Sequence, residues 1–541
     1  MGSTPRPTSN HTSRAHSRSL ISLASQPSSS SNSLACRVLS LDFLTSAART
    51  MPAMVEETIV PAAAAPEPHF LVVTYPAQGH INPARHLARR LLRATGARVT
   101  ISTAVSAFRK MFPDAKLEDA EGHRDAAGVW YVPYSDGYDG GFDVAVHDHT
   151  HYMDQVKLVG SRTLAAVLDR LRGAGRPVTL AVYTLLLSWV ADVARAHGVP
   201  VALYWIQPAS VLAAYLHFFR GTGGVDKAIA AAGGDPSAQV AVPGLPAPLR
   251  IRDLPSFITS TSENDPYAFV SDMFRELVDT LGGSPCTVLA NTFDAMEPEA
   301  VASLREHGVD VVPVGPVLSF LDAGAGGAPP TATKTNDLFR QDGKGYLEWL
   351  DAQAPGSVVY ISFGSLSVMS ERQIEEVARG MSESGRPFLW VLREDNRCGG
   401  AGADAAALGG ERGVVVGWCD QVAVLRHPAV GCFVTHCGWN STLESVACGV
   451  PVVAVPQWTD QGTNAWLVER LGVGVRAAVN EKDGVLEAGE LGRCLGFAMS
   501  EMVRAKAALW KEKARAAAAE GGSSERNLRA FVAKHQLDGG N

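Results

Sequence analysis

The run Cys432-Phe-Val-Thr-His436-Cys-Gly438-Trp439-Asn440-Ser441-Thr442-Leu-Glu444 gathers a dense set of groups suited to an anion. An apolar strand ends at His436, Gly438 turns the backbone, and Asn440 and Ser441 open a helix. A helix start offers free N–H groups and a partial positive charge, a ready phosphate site. His436, Asn440 and Ser441 add side-chain donors. The same residues also read as ordinary capping, with Asn440 as N-cap and Ser441-x-x-Glu444 as a capping box. A second candidate is Tyr75-Pro-Ala-Gln-Gly79-His80-Ile-Asn82-Pro83. Here a strand runs into a loop that ends at a helix, with Asn82 suited to the N-cap and Pro83 to the first helical position. His80 stands just before a positive helix end, which disfavours imidazolium, and a neutral imidazole is what a general base must be. A lone His at a helix start is, on its own, equally a structural or solvated residue.

The elements that carry these residues follow a repeating rhythm. Apolar runs at 70–75, 98–102, 178–183 and 201–205 read as buried strands, and 83–94 reads as a helix. After an Ala/Gly/Pro/Thr-rich stretch the rhythm restarts, with strands expected at 358–363, 388–392, 414–418, 432–436 and 450–455. Residues 399–410 read as a low-complexity surface loop. Strand and helix in alternation describe an open parallel sheet, so the chain is α/β with two doubly wound domains facing across a cleft. Ligands in such sheets sit outside the carboxyl ends of the strands. The expected boundaries are an N-terminal extension at 1–65, an N-terminal domain at 66–320, a linker at 321–345, a C-terminal domain at 346–520 and a C-terminal helix at 521–541 that packs back on the first domain.

Composition narrows the function class. An apolar fraction of 46% and a charged fraction of 19% can build large cores. A net charge of -7 provides no basic footprint for nucleic acid. No window of 18 or more uncharged apolar residues predicts a membrane span. Eight cysteines are scattered without a CxxC pair, which fits a reducing compartment better than a disulfide framework or a zinc ribbon. The cytoplasm is the expected location. Residues 1–50 are rich in Arg and Ser and poor in acids, a transit-peptide composition that makes a plastid the alternative. A start at Met51 or Met54 explains the same segment without a transit role. Either way the segment is expected to be disordered and without catalytic duty.

From Trp418 to Gln461 the sequence resembles the signature box of plant family 1 UDP-glycosyltransferases. It reads Trp418-Cys419-Asp-Gln421, His427-Pro428, His436-Cys-Gly438-Trp439-Asn440-Ser441, Glu444, Gly449-Val-Pro451 and Pro456-Gln-Trp458-Thr-Asp460-Gln461. The likeness extends to Ser362-Phe-Gly364-Ser365, Glu348-Trp-Leu350 and Gly79-His80-Ile-Asn-Pro83, and is nearest the branch containing glucose-ester-forming and flavonoid glucosyltransferases. The resemblance implies a GT-B fold in which the C-terminal domain holds the nucleotide sugar. Trp418 would stack on uracil, and the Cys419 backbone would bond its edge. Gln421 and Glu444 would hold the ribose, and Ser365, His436, Gly438, Asn440 and Ser441 would surround the diphosphate. Trp439, Asp460 and Gln461 would bind the sugar. Gln461, rather than His, at the end of the box favours UDP-glucose. No DxD pair stands where a metal would clamp the diphosphate, so neither cofactor nor metal is expected, and the protein should act as a monomer. His80 would deprotonate the acceptor, whose oxygen displaces UDP with inversion to a β-glucoside.

One departure stands out. Relatives usually carry an Asp that pairs with the catalytic His, at the position of Thr184 in this chain. Thr can fix a His tautomer but cannot stabilise imidazolium with a charge. Three readings compete: this branch tolerates Thr, the acceptor is a carboxylic acid that is already ionised and needs no base, or the protein turns over weakly and mainly binds UDP-sugar. Acceptor-pocket candidates are Tyr134, Tyr138, Phe142, Gln207 and Phe218, aromatic-rich walls for a flat hydrophobic acceptor. A dinucleotide-dependent oxidoreductase, the rival from another class, needs a Gly-rich fingerprint after the first strand, and residues 75–83 offer only Gly79.

Overall fold

The computed structural model describes residues 67–117, 122–143, 146–260, 267–283, 286–321, 338–339, 342–343, 345–396, 408–410 and 412–538. The expected extension at 1–65 and most of the linker and of the 399–410 loop lie outside these residues. Residues Ala64–Asn541 form one compact unit. Within it two largely parallel sheets carry the fold, with the edge strand of the first antiparallel. The first comprises β1 (His69–Val73), β2 (Arg98–Ser102), β3 (His123–Arg124), β4 (Trp130–Tyr131), β5 (Leu180–Thr184) and β6 (Val201–Trp205). A short antiparallel hairpin, β7 (Gln239–Val240) and β8 (Leu249–Arg250), stands apart, and β9 (Thr287–Ala290) and β10 (Val311–Pro313) complete the sheet in the order β10-β9-β6-β5-β1-β2-β4-β3. The second sheet comprises β11 (Val358–Ser362), β12 (Phe388–Val391), β13 (Gly413–Val416), β14 (Val430–Thr435), β15 (Val452–Ala454) and β16 (Gly474–Arg476), in the order β13-β12-β11-β14-β15-β16.

These orders locate the chemistry. In each sheet the chain winds outward one way from its first strand and then returns to wind the other way. The reversal falls between β1 and β5 in the first sheet and between β11 and β14 in the second. A doubly wound sheet opens a crevice at that switch point, outside the carboxyl ends of the strands. His80 follows β1, Thr184 ends β5, Gly364 and Ser365 follow β11, and His436 follows β14. Every residue of β1, β5, β6, β11 and β14 is buried. Helices cover both sheet faces, which explains why these strands read as unbroken apolar runs.

Two expected helix starts are corrected. The first helix is Gln78–Thr95, with Ala77 at its N-cap and Pro83 inside it. The Ala77 carbonyl already accepts the N–H groups of His80 and Ile81, both at 2.9 Å. Asn82 does not cap; its side chain accepts from Gln78 instead. His80 therefore lies in the first helical turn. The helix after β14 is Trp439–Cys448, and its N-cap is Gly438 without a side-chain cap. Ser441 and Asn440 are engaged elsewhere, as described below.

The two sheets are stitched by polar contacts. Segment 250–259 docks on the turn 456–463: Ser256 N–H donates to the Thr459 carbonyl at 2.9 Å, Thr459 N–H donates to Ser256 Oγ at 2.8 Å, and Thr463 Oγ1 donates to the Asp253 carbonyl at 2.6 Å. Asp253 is fully buried between Arg476 Nη1 at 2.5 Å and Arg250 Nε at 2.6 Å. Breaking a buried pair by removing one partner costs about 3–5 kcal/mol, because the other charge is stranded. Asp253→Ala should therefore lower the unfolding free energy by that order, read as a lower urea midpoint at unchanged m, with Asp253→Asn losing less. An unchanged midpoint contradicts the assignment. The helix Ser523–Asp538 runs along β10 and the end of the first helix. Asn527 Nδ2 donates to the Pro313 carbonyl at 2.9 Å, and Arg529 Nη1 to the Ala94 carbonyl at 2.9 Å.

Candidate active site

The His436 imidazole lies against two glycines. A Cβ at Gly364 would lie 2.6 Å from its Cε1, and a Cβ at Gly438 2.6 Å from its Nε2. Burial pushes its pKa down to about 4, so the ring is neutral near pH 7 and serves as a hydrogen-bonding group, not a counter-charge. Gly364 has φ +77°, the left-handed region that glycine enters without strain. Its loop is pinned from behind by buried Arg393, whose Nη1 donates to the Gly364 carbonyl at 2.7 Å and Nη2 to the Ser367 carbonyl at 2.8 Å. Ser365 sits half-buried on that loop. Facing it are the free N–H groups of the helix Trp439–Cys448. Ser365 thus follows the glycine that meets His436, and Gly438, Asn440 and Ser441 follow His436 into the start of that helix.

The residues expected at a base and a ribose are also brought together. Gln421 Nε2 donates to Ser441 Oγ at 2.9 Å and to Glu444 Oε2 at 2.7 Å, while its Oε1 accepts from Tyr360 at 3.2 Å. Both amide hydrogens are committed, so Gln421 offers a ribose only its oxygen and otherwise holds Ser441 and Glu444 in place. Phe339 stacks on Trp418 at 4.4 Å and 26°. A base on Trp418 therefore uses the opposite face or takes the place of Phe339. Among the described residues nothing bonds the Cys419 backbone N–H or carbonyl, leaving that edge for a ligand.

At the end expected to meet the sugar, buried Asp460 accepts from Asn464 Nδ2 and Thr459 Oγ1, both at 2.8 Å, and burial raises its pKa. Gln461 Oε1 accepts the N–H groups of Gln457 and Trp458. Trp439 requires a correction. Its side chain is only 3% exposed, and its indole N–H donates to the Asn291 carbonyl of the first sheet at 2.9 Å. It cannot bind sugar hydroxyls through that ring; what remains is its backbone N–H in the first turn of the helix.

At the other switch point, His80 Nδ1 lies 3.2 Å from Thr184 Oγ1, which also accepts the Tyr75 N–H at 3.4 Å. Burial pushes the His80 pKa down to about 4. Among the described residues no carboxylate bonds the ring, and Asp192 pairs at the surface with Arg195 at 3.1 Å. When Thr184 accepts from Nδ1–H, Nε2 presents the bare lone pair of a general base.

A neutral base aimed from one sheet's switch point, and an anion cradle at the other, is the arrangement of a group-transfer site. The family described as UDP-glucoronosyl and UDP-glucosyl transferase matches residues 340–488. The chain is 45% identical to UDP-glycosyltransferase 75C1 of Solanum lycopersicum, covering 86% of this chain and 98% of that one. It is 44% identical to the crocetin glucosyltransferase, chloroplastic, of Gardenia jasminoides, with 86% and 96% covered. Os79 from O. sativa in complex with UDP matches with TM-score 0.74 at 32% identity, covering 86% of this chain and all of that one. The chain belongs to the UDP-glycosyltransferase family.

The glycosyltransferase has the GT-B fold. Its acceptor side only partly follows the expected residues. Tyr138 and Phe142 pack on Tyr152 at 5.1 and 4.4 Å, in a train of rings that continues through His149 and Tyr267 to Trp458. At its other end Tyr152 meets Tyr75, which lies 5.3 Å from His80. Gln207 is buried with Oε1 unpaired, an atom an acceptor hydroxyl would satisfy. Tyr134 is a correction: at 1% exposure, its ring packs edge-on to Trp189 in the core. Phe218 is another. The helix Ala209–Phe219 starts at the cleft and runs back along the sheet, which carries Phe218 about 13 Å from its start at 1.5 Å per residue. Ser210 serves that helix, donating to buried Glu297 at 2.7 Å.

Among the described residues three non-glycine residues have positive φ, each near an expected site residue: Leu186 (74°) just after Thr184, Cys437 (64°) between His436 and Gly438, and Thr459 (59°) before Asp460. Such strain persists where surrounding contacts over-determine the backbone, commonly at functional sites. These three, with Arg393, Asn291 and Asn464, are absent from the expected residues. Arg393 alone had a local signal, a charge closing the apolar strand pattern 388–392. The pKa of His80 yields a prediction for the glycosyltransferase. The base must be neutral, so activity toward phenols is retained down to the region of pH 4 and falls below it. In Thr184→Asp a carboxylate beside the ring favours imidazolium and moves the acid limb of kcat/KM upward by about 1–3 pH units. Superimposed pH profiles contradict this.

Proposed function

We propose that the enzyme transfers glucose from UDP-glucose, with inversion and without a metal, to a small hydrophobic acceptor bearing a phenol or a carboxylic acid. The observation that carries this reading is the pairing of a neutral, half-buried His80 with the diphosphate cradle around His436. Trp418, Cys419, Gln421 and Glu444 take the uridine in this reading. Ser365, His436, Gly438, Asn440 and Ser441 take the diphosphate, and Asp460, Gln461 and the Trp439 backbone take the glucose. Helix N–H groups and neutral donors supply the stabilisation that a cation otherwise provides. Gln461 supports glucose as the donor sugar. The names of relatives, among them the Gardenia crocetin glucosyltransferase and a phloretin 4'-O-glucosyltransferase of Malus domestica, support a small flat acceptor. Both halves of the site come from one chain, so a monomer suffices.

The absence of a carboxylate from His80 supports acids among the acceptors, since an ionised acid needs no base. The proposed compartment is the cytoplasm, consistent with six free buried cysteines among the described residues. A plastid is the alternative, since the Gardenia relative is named chloroplastic. A screen of paired phenol and carboxylic acid acceptors with UDP-glucose, read by product mass, tests the reading. Hexosyl adducts support it, and the absence of transfer over the panel, despite tight UDP binding, favours a UDP-sugar-binding protein with little turnover.

A further inference from the structure

In an α-helix the carbonyl of residue 79 accepts the N–H of residue 83. Here residue 83 is proline, inside the helix Gln78–Thr95, and has no N–H to give. The Gly79 carbonyl is left without its helical donor at the residue before His80. Its donor comes instead from the other sheet: Asn440 Nδ2 lies 2.9 Å away. Asn440 is the second residue of the helix Trp439–Cys448, beside the cradle proposed for the diphosphate. A carbonyl can meet only a donor, so the amide nitrogen faces Gly79, and that nitrogen carries a second hydrogen.

We propose that Asn440 is a positioning residue for the transfer reaction, its amide spanning from the diphosphate to the His80 turn, and that Pro83 creates the acceptor it uses. One N–H holds Gly79 and the other reaches a diphosphate oxygen, so filling the donor site fixes the turn that carries the base. Empty, the cradle leaves the amide with one partner and the turn less constrained. This inference rests on the function proposed above and adds a reason for a proline inside a helix, where it otherwise costs a hydrogen bond.

The test is Pro83→Ala, which restores the N–H and lets the helix satisfy Gly79 without Asn440. The expected result is a fall in kcat of about 10- to 100-fold, the order expected for a misplaced catalytic group, with KM for UDP-glucose and Kd for UDP within about twofold of wild type. Asn440→Ala should weaken UDP binding and lower kcat together. In Pro83→Ala/Asn440→Ala, kcat should be no lower than in Asn440→Ala alone, since both changes break one contact. An unchanged kcat in Pro83→Ala, or effects on kcat that multiply in the double variant, overturns the inference. Hydrogen exchange decides it independently of turnover and of how the variants fold. Adding UDP to the wild-type enzyme should slow exchange at residues 78–82, and unchanged exchange overturns the inference. A wild-type enzyme that binds UDP and slows exchange there but transfers no sugar overturns the proposed function and leaves this coupling standing.

Discussion

His80→Ala is expected to lower kcat/KM for phenolic acceptors by about 100- to 10,000-fold, the usual contribution of a positioned general base, while leaving the Kd for UDP unchanged. The first effect follows from a neutral imidazole held at 3.2 Å from Thr184. The second follows because His80 belongs to the first sheet, whereas every expected uridine contact lies on the second. Carboxylic acid acceptors are ionised before they bind and should lose far less. Steady-state kinetics on a matched acid and phenol provide the check. Equal losses on both would show that His80 does not act by taking a proton, and no loss on the phenol would remove it from catalysis.

Gly364→Ala is expected to damage the donor site more than any single loss of a hydrogen bond. At φ +77° a Cβ brings strain of about 1–2 kcal/mol. The added methyl would also lie 2.6 Å from the His436 ring, and overpacking of this kind costs about 1–3 kcal/mol. Gly438 also lies beside the ring, where a Cβ would come 2.6 Å from Nε2. UDP affinity should fall by at least about tenfold, since 1.4 kcal/mol of displaced contact suffices for that. Gly438→Ala is the instructive companion: its φ of -61° suits any residue, so it carries the clash without the strain. Titration calorimetry with UDP on both variants measures the two effects separately. Wild-type affinity in both would mean that the ring has room the structure denies it.

The fold was legible because parallel strands buried on both faces, such as β5 and β14, must be apolar throughout, and such runs are visible in a sequence. The donor residues were legible because they cluster within one strand-turn-helix unit. What the sequence hid is tertiary. Trp439 looks like a ligand group until Asn291, 148 residues away, is seen to take its indole N–H. Asn440 looks like a cap until Gly79, 361 residues away, claims its amide. Tyr134 and Phe218 are aromatic residues near a cleft in sequence, yet one is core and the other sits at the far end of a helix. Pro83 misleads for a local reason: proline suits a first helical turn so well that its place at the sixth helical residue does not show in the sequence. The Ala77 carbonyl had already closed the turn five residues earlier than the proline suggested.

The account stands on a UDP-sugar seated at the β14-to-helix junction with its base on Trp418. Calorimetric titration of UDP into the wild-type enzyme, Trp418→Ala and His80→Ala tests that directly. Stacking of a base on an aromatic ring is worth about 1–3 kcal/mol, so Trp418→Ala should bind UDP about 5- to 150-fold more weakly, with His80→Ala matching wild type. Wild-type affinity in Trp418→Ala, or an enzyme indifferent to UDP, would contradict it.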